Sequence, residues 1–391
     1  MSSQPISKKI IENKPEGFGE KTFNTLLIDG SNILELSCHA DRHLSSNGKI
    51  IGGIFQFLLQ IKLLLRKGNF RYVYVFWDGD NSGFYRYLIN EDYKANRDKD
   101  YESEVTEGLS SYMVEVNHKV KEMQKYLFNK DKLEQRKRDK EIFHEQRKVI
   151  IDCLEELFIR QCLCDKVEAD DLIAYYTINK KSNERIVIVS NDRDLTQLIS
   201  SDVIIYVPSL KKFINTKTHT AEMGYDYRNV LLKKMICGDV SDNIKGIKGV
   251  GETTLLKNFP EIKEREVTLE EVIEKARTIN EERQKEKKKP LQWANNIVNR
   301  ITDGCQGEKI YEINKKIINL KEPILTEDAK ELMDEMMYSP MDPEGRSFAN
   351  LYKILTEYGV DDFKDENKFS NFFIEFKYYI DRELMENKQQ N

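Results

Sequence analysis

The sequence lacks the features that mark membrane-spanning, secreted and zinc-binding proteins. It has no run of 18 apolar residues, and residues 1–14 contain no apolar core of a signal peptide. Its six cysteines include no Cys-x-x-Cys pair, and Cys162-x-Cys164 is too close for a usual zinc arrangement. We therefore expect no membrane contact and no structural zinc. The cysteines are expected to be reduced residues of the core.

The chain also lacks a strong excess of positive charge. Its net charge is -5, which argues against a general coat for nucleic acid, but its 62 lysines and arginines leave room for local basic surfaces. The 391 residues are enough for two domains, or for one large α/β domain with an appended helical part. With 33% charged and 39% hydrophobic residues, the composition is that of a soluble globular protein.

Three apolar runs of strand length each end on aspartate. They are residues 25–28 before Asp29, residues 72–77 before Asp78, and residues 185–191 before Asp192 and Asp194. Continuous β-branched and aromatic runs indicate strands buried on both faces, as in a parallel sheet covered by helices. Because ligands bind outside the carboxyl ends of such strands, the aspartates are predicted to meet in one crevice. A single aspartate after a strand is usually a helix N-cap, but caps alone do not account for three strands.

A fourth acidic group lies at the start of a predicted helix, where Glu168, Asp170 and Asp171 fall within four residues. Two like charges about 4 Å apart repel by roughly 4 kcal/mol at an effective dielectric near 20, so such a group must be solvated, protonated or neutralised by cations. A helix N-terminus rich in acids is the simpler interpretation, because the helix dipole favours negative charge there. The aspartates at the three strand ends favour a shared acidic site instead.

The order of these motifs resembles that of the structure-specific 5′ nuclease superfamily, which is PIN-like. The matching motifs are Asp29-Gly30, Asp78 followed by Arg86 and by residues 93–97, the acidic group at 168–171, Asp192-x-Asp194, and residues 238–243. The chain looks most like the bacteriophage 5′ to 3′ exonucleases and flap endonucleases, including the phage replicative ribonuclease H, over residues 23–259. The resemblance implies an α/β fold with a mostly parallel central sheet flanked by helices, a helical arch, a helix-hairpin-helix element and a helical C-terminal part.

The resemblance also implies a catalytic site with two divalent metal ions, Mg²⁺ or Mn²⁺. The first ion is expected on Asp29, Asp78, Glu168 and Asp170, and the second on Asp192, Asp194 and Asp239, with Asp171 and Asp242 completing the acidic surround. Carboxylate oxygens suit both of these ions. Lys94 and Arg86 are expected to face the scissile phosphate. Asp80 adds a carboxylate to which we assign no role, and Arg193 stands where the family commonly has a small residue.

Residues 98–148 are expected to form the arch within a nuclease core of residues 22–215, after a flexible arm at 1–21. In the family a free 5′ strand threads under the arch. The predicted DNA contacts are Tyr93, Arg97, Arg136, Lys137 and Arg138 around the arch, and Lys245, Lys248, Gly249 and Gly251 in the helix-hairpin-helix element at 216–260. The family often holds K⁺ on the carbonyls of that hairpin. A solvated helical hairpin remains the alternative for the arch.

Residues 261–391 carry no chemical motif and are predicted to be mainly helical. Phe369, Phe372, Phe373 and Phe376 share one helix face, which is expected to pack against the nuclease body. The alternative is a docking peptide, because Phe372 and Phe373 resemble the aromatic pair that replication nucleases insert into a sliding clamp. Partners are thus DNA with a 5′ flap or 5′ end, an RNA/DNA hybrid, and a sliding clamp or single-strand-binding protein.

The sequence therefore predicts a metal-dependent 5′ nuclease that removes RNA primers during lagging-strand replication. It is expected to be a monomer in the cytoplasm, or in the host cytoplasm if a phage encodes it. Two alternatives stay open. A phosphatase of the haloacid-dehalogenase type would use Asp78 as a covalent nucleophile, and a DNA-binding scaffold would carry the acids without activity.

Overall fold

The computed structural model describes residues 23–45, 48–94, 116–302, 305–306, 310–340 and 342–390. Its centre is a six-stranded sheet of β1 (Thr25–Asp29), β2 (Tyr72–Asp78), β3 (Arg160–Cys164), β4 (Ile186–Val189), β5 (Val203–Val207) and β6 (Lys212–Ile214). The order across the sheet is β3-β2-β1-β4-β5-β6. Strands β1 to β5 are parallel and β6 is antiparallel to β5. The predicted α/β class with a mostly parallel sheet is confirmed.

The central strands are apolar because both faces of the sheet are covered. On one face lie α1 (Gly30–Ala40) and α2 (Gly52–Lys67), where the Phe57 and Trp77 rings stack 5.6 Å apart. On the other face lies α5 (Ala169–Asn179), which packs its apolar side chains against β1 and β2. The carboxyl ends of the parallel strands therefore point to one edge, which the helices leave open.

Two helices follow β2. Helix α3 (Phe84–Ile89) lies just beyond Asp78, and the long α4 (Val116–Glu156) includes the described part of the predicted arch. Between residues 134 and 141 the side chains of α4 are exposed or nearly so, whereas Gln146 is fully buried and its Oε1 accepts the Ile54 N–H at 3.0 Å. The polar middle of the helix thus faces solvent, as expected, while its C-terminal third is anchored to the start of α2.

The rest of the described chain is mainly helical and is divided among three large cores and a small one that contains Ile317 and Ile318. Its helices are α6 (His219–Met223), α7 (Val230–Cys237), α8 (Glu252–Asn258), α9 (Leu269–Lys285), α10 (Gln292–Asn299), α11 (Ile310–Ile318), α12 (Glu327–Met336), α13 (Phe348–Tyr358) and α14 (Glu366–Gln390). Helices α9 and α10 share a core with α7 and α8, which Tyr311 of α11 joins. Helix α12 packs on the α5 face of the sheet, and α13 and α14 pack on the α2 face. Residues 261–391 therefore do not form a unit of their own.

The C-terminal aromatic stripe belongs to the core. Phe369, Phe372, Phe373 and Phe376 are at most 8% exposed and join the cluster that contains α2 and β2. The Phe372 ring lies 5.3 Å from that of Phe55 and 4.8 Å from that of Phe363. The expectation that this helix packs on the nuclease body is confirmed. The alternative that Phe372 and Phe373 insert into a sliding clamp is wrong, because both rings are already buried.

Among the described residues, five cysteines are present as thiols, and three of them, Cys153, Cys162 and Cys164, are buried. None of the described helices is both long and apolar enough to cross a membrane. The predicted arm at 1–21 lies outside the described residues.

Candidate active site

The aspartates that end β1 and β2 each accept a hydrogen bond from the start of a helix and also belong to the acidic site. Asp29 is buried, caps α1 by accepting the Asn32 N–H at 3.1 Å, and accepts the Ser190 hydroxyl at 2.8 Å. Asp78 accepts the Ala169 N–H at 2.9 Å and so holds the start of α5 against β2. Capping and clustering are therefore not alternatives, because the caps fix carboxylates at the open edge of the sheet.

Glu168 is held by three groups from the segment after β2. Lys94 Nζ and Arg86 Nη1 each lie 2.5 Å from one of its oxygens, and the Tyr93 hydroxyl is 3.2 Å from both. Against the effect of burial, Arg86 and Lys94 hold the pKa of Glu168 below its usual value. Lys94 is partly exposed and lines the crevice beside Asp170, as a residue that neutralises a phosphate must.

Two residues of this segment line the crevice and are also bonded to other parts of the protein. Arg86 is buried, forms a bidentate pair with Asp171 at 2.5 and 3.0 Å, and donates through Nε to the Ile317 carbonyl at 2.9 Å. Its guanidinium is thus held by protein oxygens, while the side chain also lines the crevice. Tyr93, predicted to contact DNA, is also buried and supports Glu168. Both side chains help to position Glu168, because the polar atoms of both contact its carboxylate.

Asp171 is likewise a supporting residue. It is 1% exposed, both of its oxygens bind Arg86, and Oδ1 also accepts the Ile324 N–H at 2.9 Å. Its place among the metal ligands was predicted from the resemblance, but its lone pairs are engaged by protein donors. The neighbouring Asp170 lines the crevice instead. The helix thus directs one carboxylate inward to the arginine and one outward to the site.

A second acidic group lies across the crevice. Asp192 accepts the Asp194 N–H at 2.7 Å, and Asp194, Asp239 and Asp242 place one carboxylate oxygen each within 4.8 Å of the others. The tight set therefore contains Asp242, which the sequence assigned only to the surround. Asp192 lines the crevice with Asp170 and Asp194, and burial and then the charge of Asp192 raise the pKa values of both.

Lys234 is a functional residue that the sequence analysis missed. Its ammonium forms ion pairs with Asp194 and with Asp239, the latter at 2.5 Å. Against the effect of burial, this contact lowers the pKa of Asp239 to about 2. The available signal was a pair of lysines, Lys233 and Lys234, inside an otherwise apolar helix, with Lys234 in its last turn and five residues before Asp239.

The two acidic groups are joined by a pair of reciprocal hydrogen bonds. The Lys94 N–H donates to the Asp242 carbonyl at 2.9 Å, and the Asn243 side chain donates to the Asp92 carbonyl at 2.8 Å. Both Lys94 and Asn243 have φ of +54°, a left-handed backbone conformation that residues other than glycine adopt at a cost in free energy. These two hydrogen bonds hold Lys94, the cation beside Glu168, at a fixed place relative to Asp242.

The site concentrates negative charge that the protein compensates only in part. Burial, then Asp78, raises the pKa of Asp29 to about 8, and burial, then Asp192, raises that of Asp194 to about 7. Burial and then Asp192 also raise the pKa of Asp170 well above its usual value. A divalent cation among these carboxylates would offset both the burial of their charge and their mutual repulsion, and its binding would release their protons. The donor set, made entirely of carboxylate oxygens, fits Mg²⁺ or Mn²⁺.

A helix-hairpin-helix element lies beside the second acidic group. Helices α7 and α8 flank β7 (Gly238–Asp239) and β8 (Ile244–Lys245), and the hairpin loop continues to Gly251, which precedes α8. Gly249 has φ of +76°, and a Cβ on Gly251 would meet no atom within 4 Å. The backbone there is open to a close approach, and Lys245 and Lys248 are exposed beside it.

The predicted arch cations are exposed as well. Arg136, Lys137 and Arg138 lie on the solvent-facing middle of α4, and Arg97 lies outside the described residues. Asp80 and Arg193 are exposed and do not line the crevice.

Comparison with known proteins identifies the family. Residues 24–225 match the family described as 5′-3′ exonuclease, N-terminal resolvase-like domain. The chain belongs to this 5′-3′ exonuclease family. It is 27% identical over 245 residues to a 5′-3′ exonuclease of Mycoplasmopsis pulmonis, covering 62% of this chain and 68% of the relative. It is also 27% identical over 245 residues to the DNA polymerase I of Streptococcus pneumoniae, covering 59% of this chain and 23% of the polymerase.

One solved structure matches this chain in fold over nearly the whole length of both chains. The bacteriophage T5 D15 flap endonuclease, in a pseudo-enzyme-product complex with DNA and metal ions, matches with a TM-score of 0.52 at 16% identity. The match covers 90% of this chain and 99% of the T5 chain. The predicted membership of the 5′ nuclease superfamily is confirmed, and the fold extends through the C-terminal helices.

Proposed function

We propose that this protein is a divalent-metal-dependent 5′ to 3′ exonuclease and flap endonuclease. The observation that carries the proposal is the crevice itself. Two acidic groups from three strand ends, one helix start and a hairpin turn face each other there, with Lys94 between them. Neither simple capping nor packing requires this arrangement, whereas phosphodiester hydrolysis does.

The residues divide the chemistry among themselves. Asp29, Asp78, Glu168 and Asp170 form one candidate metal group, and Asp192, Asp194, Asp239 and Asp242 form the other. Two divalent ions held there would supply a water nucleophile near neutral pH and stabilise the departing oxygen. Lys94 places a positive charge in the crevice for the phosphate, and Lys234 keeps Asp194 and Asp239 together.

A single pair of assays tests the activity. A 5′-flap oligonucleotide should be cut in Mg²⁺ and not in EDTA, whereas a small phosphomonoester should not be hydrolysed. Asp170→Asn and Asp192→Asn should abolish cleavage but leave DNA binding unchanged or tighter, because repulsion between the acids and the phosphates is relieved. Hydrolysis of the phosphomonoester through Asp78 would favour the phosphatase. DNA binding without any cleavage by the wild type would favour the scaffold.

The proposed substrates are DNA with a 5′ flap or 5′ end and RNA/DNA hybrids, which fits removal of RNA primers from the lagging strand. The similarity to a DNA polymerase I supports a replicative role. We assign the duplex contact to Lys245, Lys248, Gly249 and Gly251, because an open backbone with exposed lysines suits phosphate. We assign the single-stranded 5′ end to the cations of α4.

Substitutions separate the two surfaces. Replacing Lys245 and Lys248 by alanine should weaken binding to any duplex and flatten its salt dependence. Replacing Arg136, Lys137 and Arg138 should act on substrates with a single-stranded 5′ end and leave blunt duplex unaffected. Equal effects of both sets on blunt duplex would remove the arch assignment.

Three finer assignments complete the proposal. The metal ions are Mg²⁺ or Mn²⁺, and a K⁺ ion is placed on carbonyls of the hairpin loop, which binding to duplex in K⁺ and in Li⁺ would test. A sliding clamp or single-strand-binding protein remains a predicted partner, but its contact must use surface other than Phe372 and Phe373. We expect a monomer that works in the cytoplasm, or in the host cytoplasm if a phage encodes it.

A further inference from the structure

The turn between α9 and α10 carries a dense group of exposed cations. Lys285, Lys287, Lys288 and Lys289 fall within five residues, and all four are exposed. The one acid among them, Glu286, pairs with Lys288 at 2.7 Å. Because the whole chain has a net charge of -5, this turn is a local positive surface on an acidic protein. It carries no role in the chemistry described above.

The backbone of this basic turn is fixed by hydrogen bonds. The Lys287 and Lys288 N–H groups donate to the Gln284 and Arg283 carbonyls at 2.9 and 2.8 Å. The Arg283 side chain also donates to the Lys289 carbonyl at 2.9 Å. The lysines are therefore presented from a defined backbone, which reduces the entropy lost when they bind a partner.

The basic turn is tied to the hairpin loop through α10. The Leu291 N–H donates to Asn280, and Asn296 of α10 donates to the Lys248 carbonyl at 2.8 Å. The Trp293 Cβ would lie 4.0 Å from a Cβ on Gly249. Trp293 also packs edge-to-face on Phe259, just after α8, with ring centroids 6.1 Å apart. The N-terminal end of α10, which the basic turn precedes, thus touches the loop to which we assign duplex binding.

The length of chain between the two surfaces sets an upper limit on their separation. Four helical residues between Gln292 and Asn296 span about 6 Å, and the three extended steps back to Lys289 add at most about 10 Å. At 3.4 Å per base pair along a duplex, a separation of about 16 Å corresponds to roughly five base pairs. One duplex can therefore contact the hairpin loop and the basic turn at once.

We propose that the basic turn is a second contact for the phosphate backbone of double-stranded DNA, adjacent to the helix-hairpin-helix element. The inference rests on the proposed function, since it requires that the hairpin loop bind duplex. The contact reads no sequence, because lysines on phosphates supply affinity and register without base recognition. Its role is to hold a longer duplex arm while the flap is cut.

The test uses Lys287→Ala with Lys289→Ala, because neither lysine takes part in the Glu286 pair. The matched control is Lys353→Ala with Lys368→Ala, two exposed lysines on α13 and α14. Affinity for a flap substrate is measured as the duplex arm is lengthened from about 6 to about 24 base pairs, and as salt is raised from 50 to 200 mM. Cleavage at saturating substrate by the control variant should match that of the wild type.

Because the turn variant can no longer neutralise two phosphates, its slope of log affinity against log salt should fall by about 1.8. Over the fourfold salt range the wild type should then lose about tenfold more affinity than the turn variant. The gain in affinity on lengthening the arm should also shrink in the turn variant and not in the control. A turn variant that matches the wild type in both series overturns the inference, as does an equal loss on single-stranded DNA. A wild type that neither binds nor cuts the flap overturns the proposed function itself.

Discussion

Asp170 and Asp171 are neighbours in sequence, but replacing each by asparagine should change stability in opposite directions. Asp171 is buried with both oxygens on Arg86, and Arg86 is itself only 6% exposed. Asp171→Asn leaves that guanidinium inside the protein with Glu168 as its one remaining carboxylate. Removing one partner of a buried ion pair costs about 3–5 kcal/mol. Because Glu168 remains at 2.5 Å, we expect a loss near the lower value.

Asp170→Asn has the opposite effect because Asp170 lies among like charges. Burial and then Asp192 and Asp29 raise its pKa well above the usual value, so the metal-free protein is strained by its negative charge. An asparagine of the same shape removes that repulsion. The metal-free variant should therefore be as stable as the wild type or more stable, although it should no longer cleave DNA.

Urea unfolding in EDTA at neutral pH, followed by the fluorescence of Trp77 and Trp293, measures both effects. Asp165→Asn, which alters a carboxylate whose side chain is 61% exposed just before the acidic helix, is the matched control and should change little. Destabilisation of similar size in Asp170→Asn and Asp171→Asn would refute the division into a crevice carboxylate and a supporting one.

Three further outcomes are expected. In metal-free protein the stability difference between wild type and Asp29→Asn should grow as pH rises from 4 to 8. The folded state keeps protons on Asp29, whose pKa is near 8, and on Asp194, whose pKa is near 7, whereas the unfolded chain releases them near pH 4. The wild type therefore loses stability as pH rises. A constant difference in urea midpoints would contradict this expectation. Lys94→Ala should lower the single-turnover cleavage rate far more than DNA affinity, since its charge acts most on the transition state, and a proportional loss in both would make it an ordinary phosphate contact. Phe373→Ala should lower the free energy of unfolding in urea by about 3–5 kcal/mol. Tyr378 is 65% exposed on the same helix, and Tyr378→Ala should lower that free energy by under about 0.5 kcal/mol. Equally small losses in both variants would place the Phe373 ring outside the core.

Strands β1, β2, β4 and β5 were predictable because each is apolar along its whole length. That pattern arises only where both faces of a strand are buried. Strand β3 was not predicted, since it lies at the sheet edge and begins with Arg160 and Gln161. The helices cover β3 less completely than the central strands and leave Leu163 exposed, so its sequence is not uniformly apolar.

The acidic residues of the site were predictable as a set, but their separate roles were not. The sequence shows that Arg86 and Asp171 exist, not that they meet, because they are 85 positions apart. The Arg86 bond to the Ile317 carbonyl spans 231 residues. Lys234 was missed for the same reason, since its position on α7 becomes informative only when the hairpin turn folds back beside β4.

The division of the C-terminal helices among three large cores has a consequence for synthesis on the ribosome. Trp77 of β2 and Phe376 of α14 lie in one core, yet about 300 residues separate them. At about 5–20 residues per second, the apolar face around α2 stays uncovered for roughly 15–60 s after its own residues are made. We expect the nascent chain to bind chaperones that hold exposed apolar surface until α14 is released from the exit tunnel.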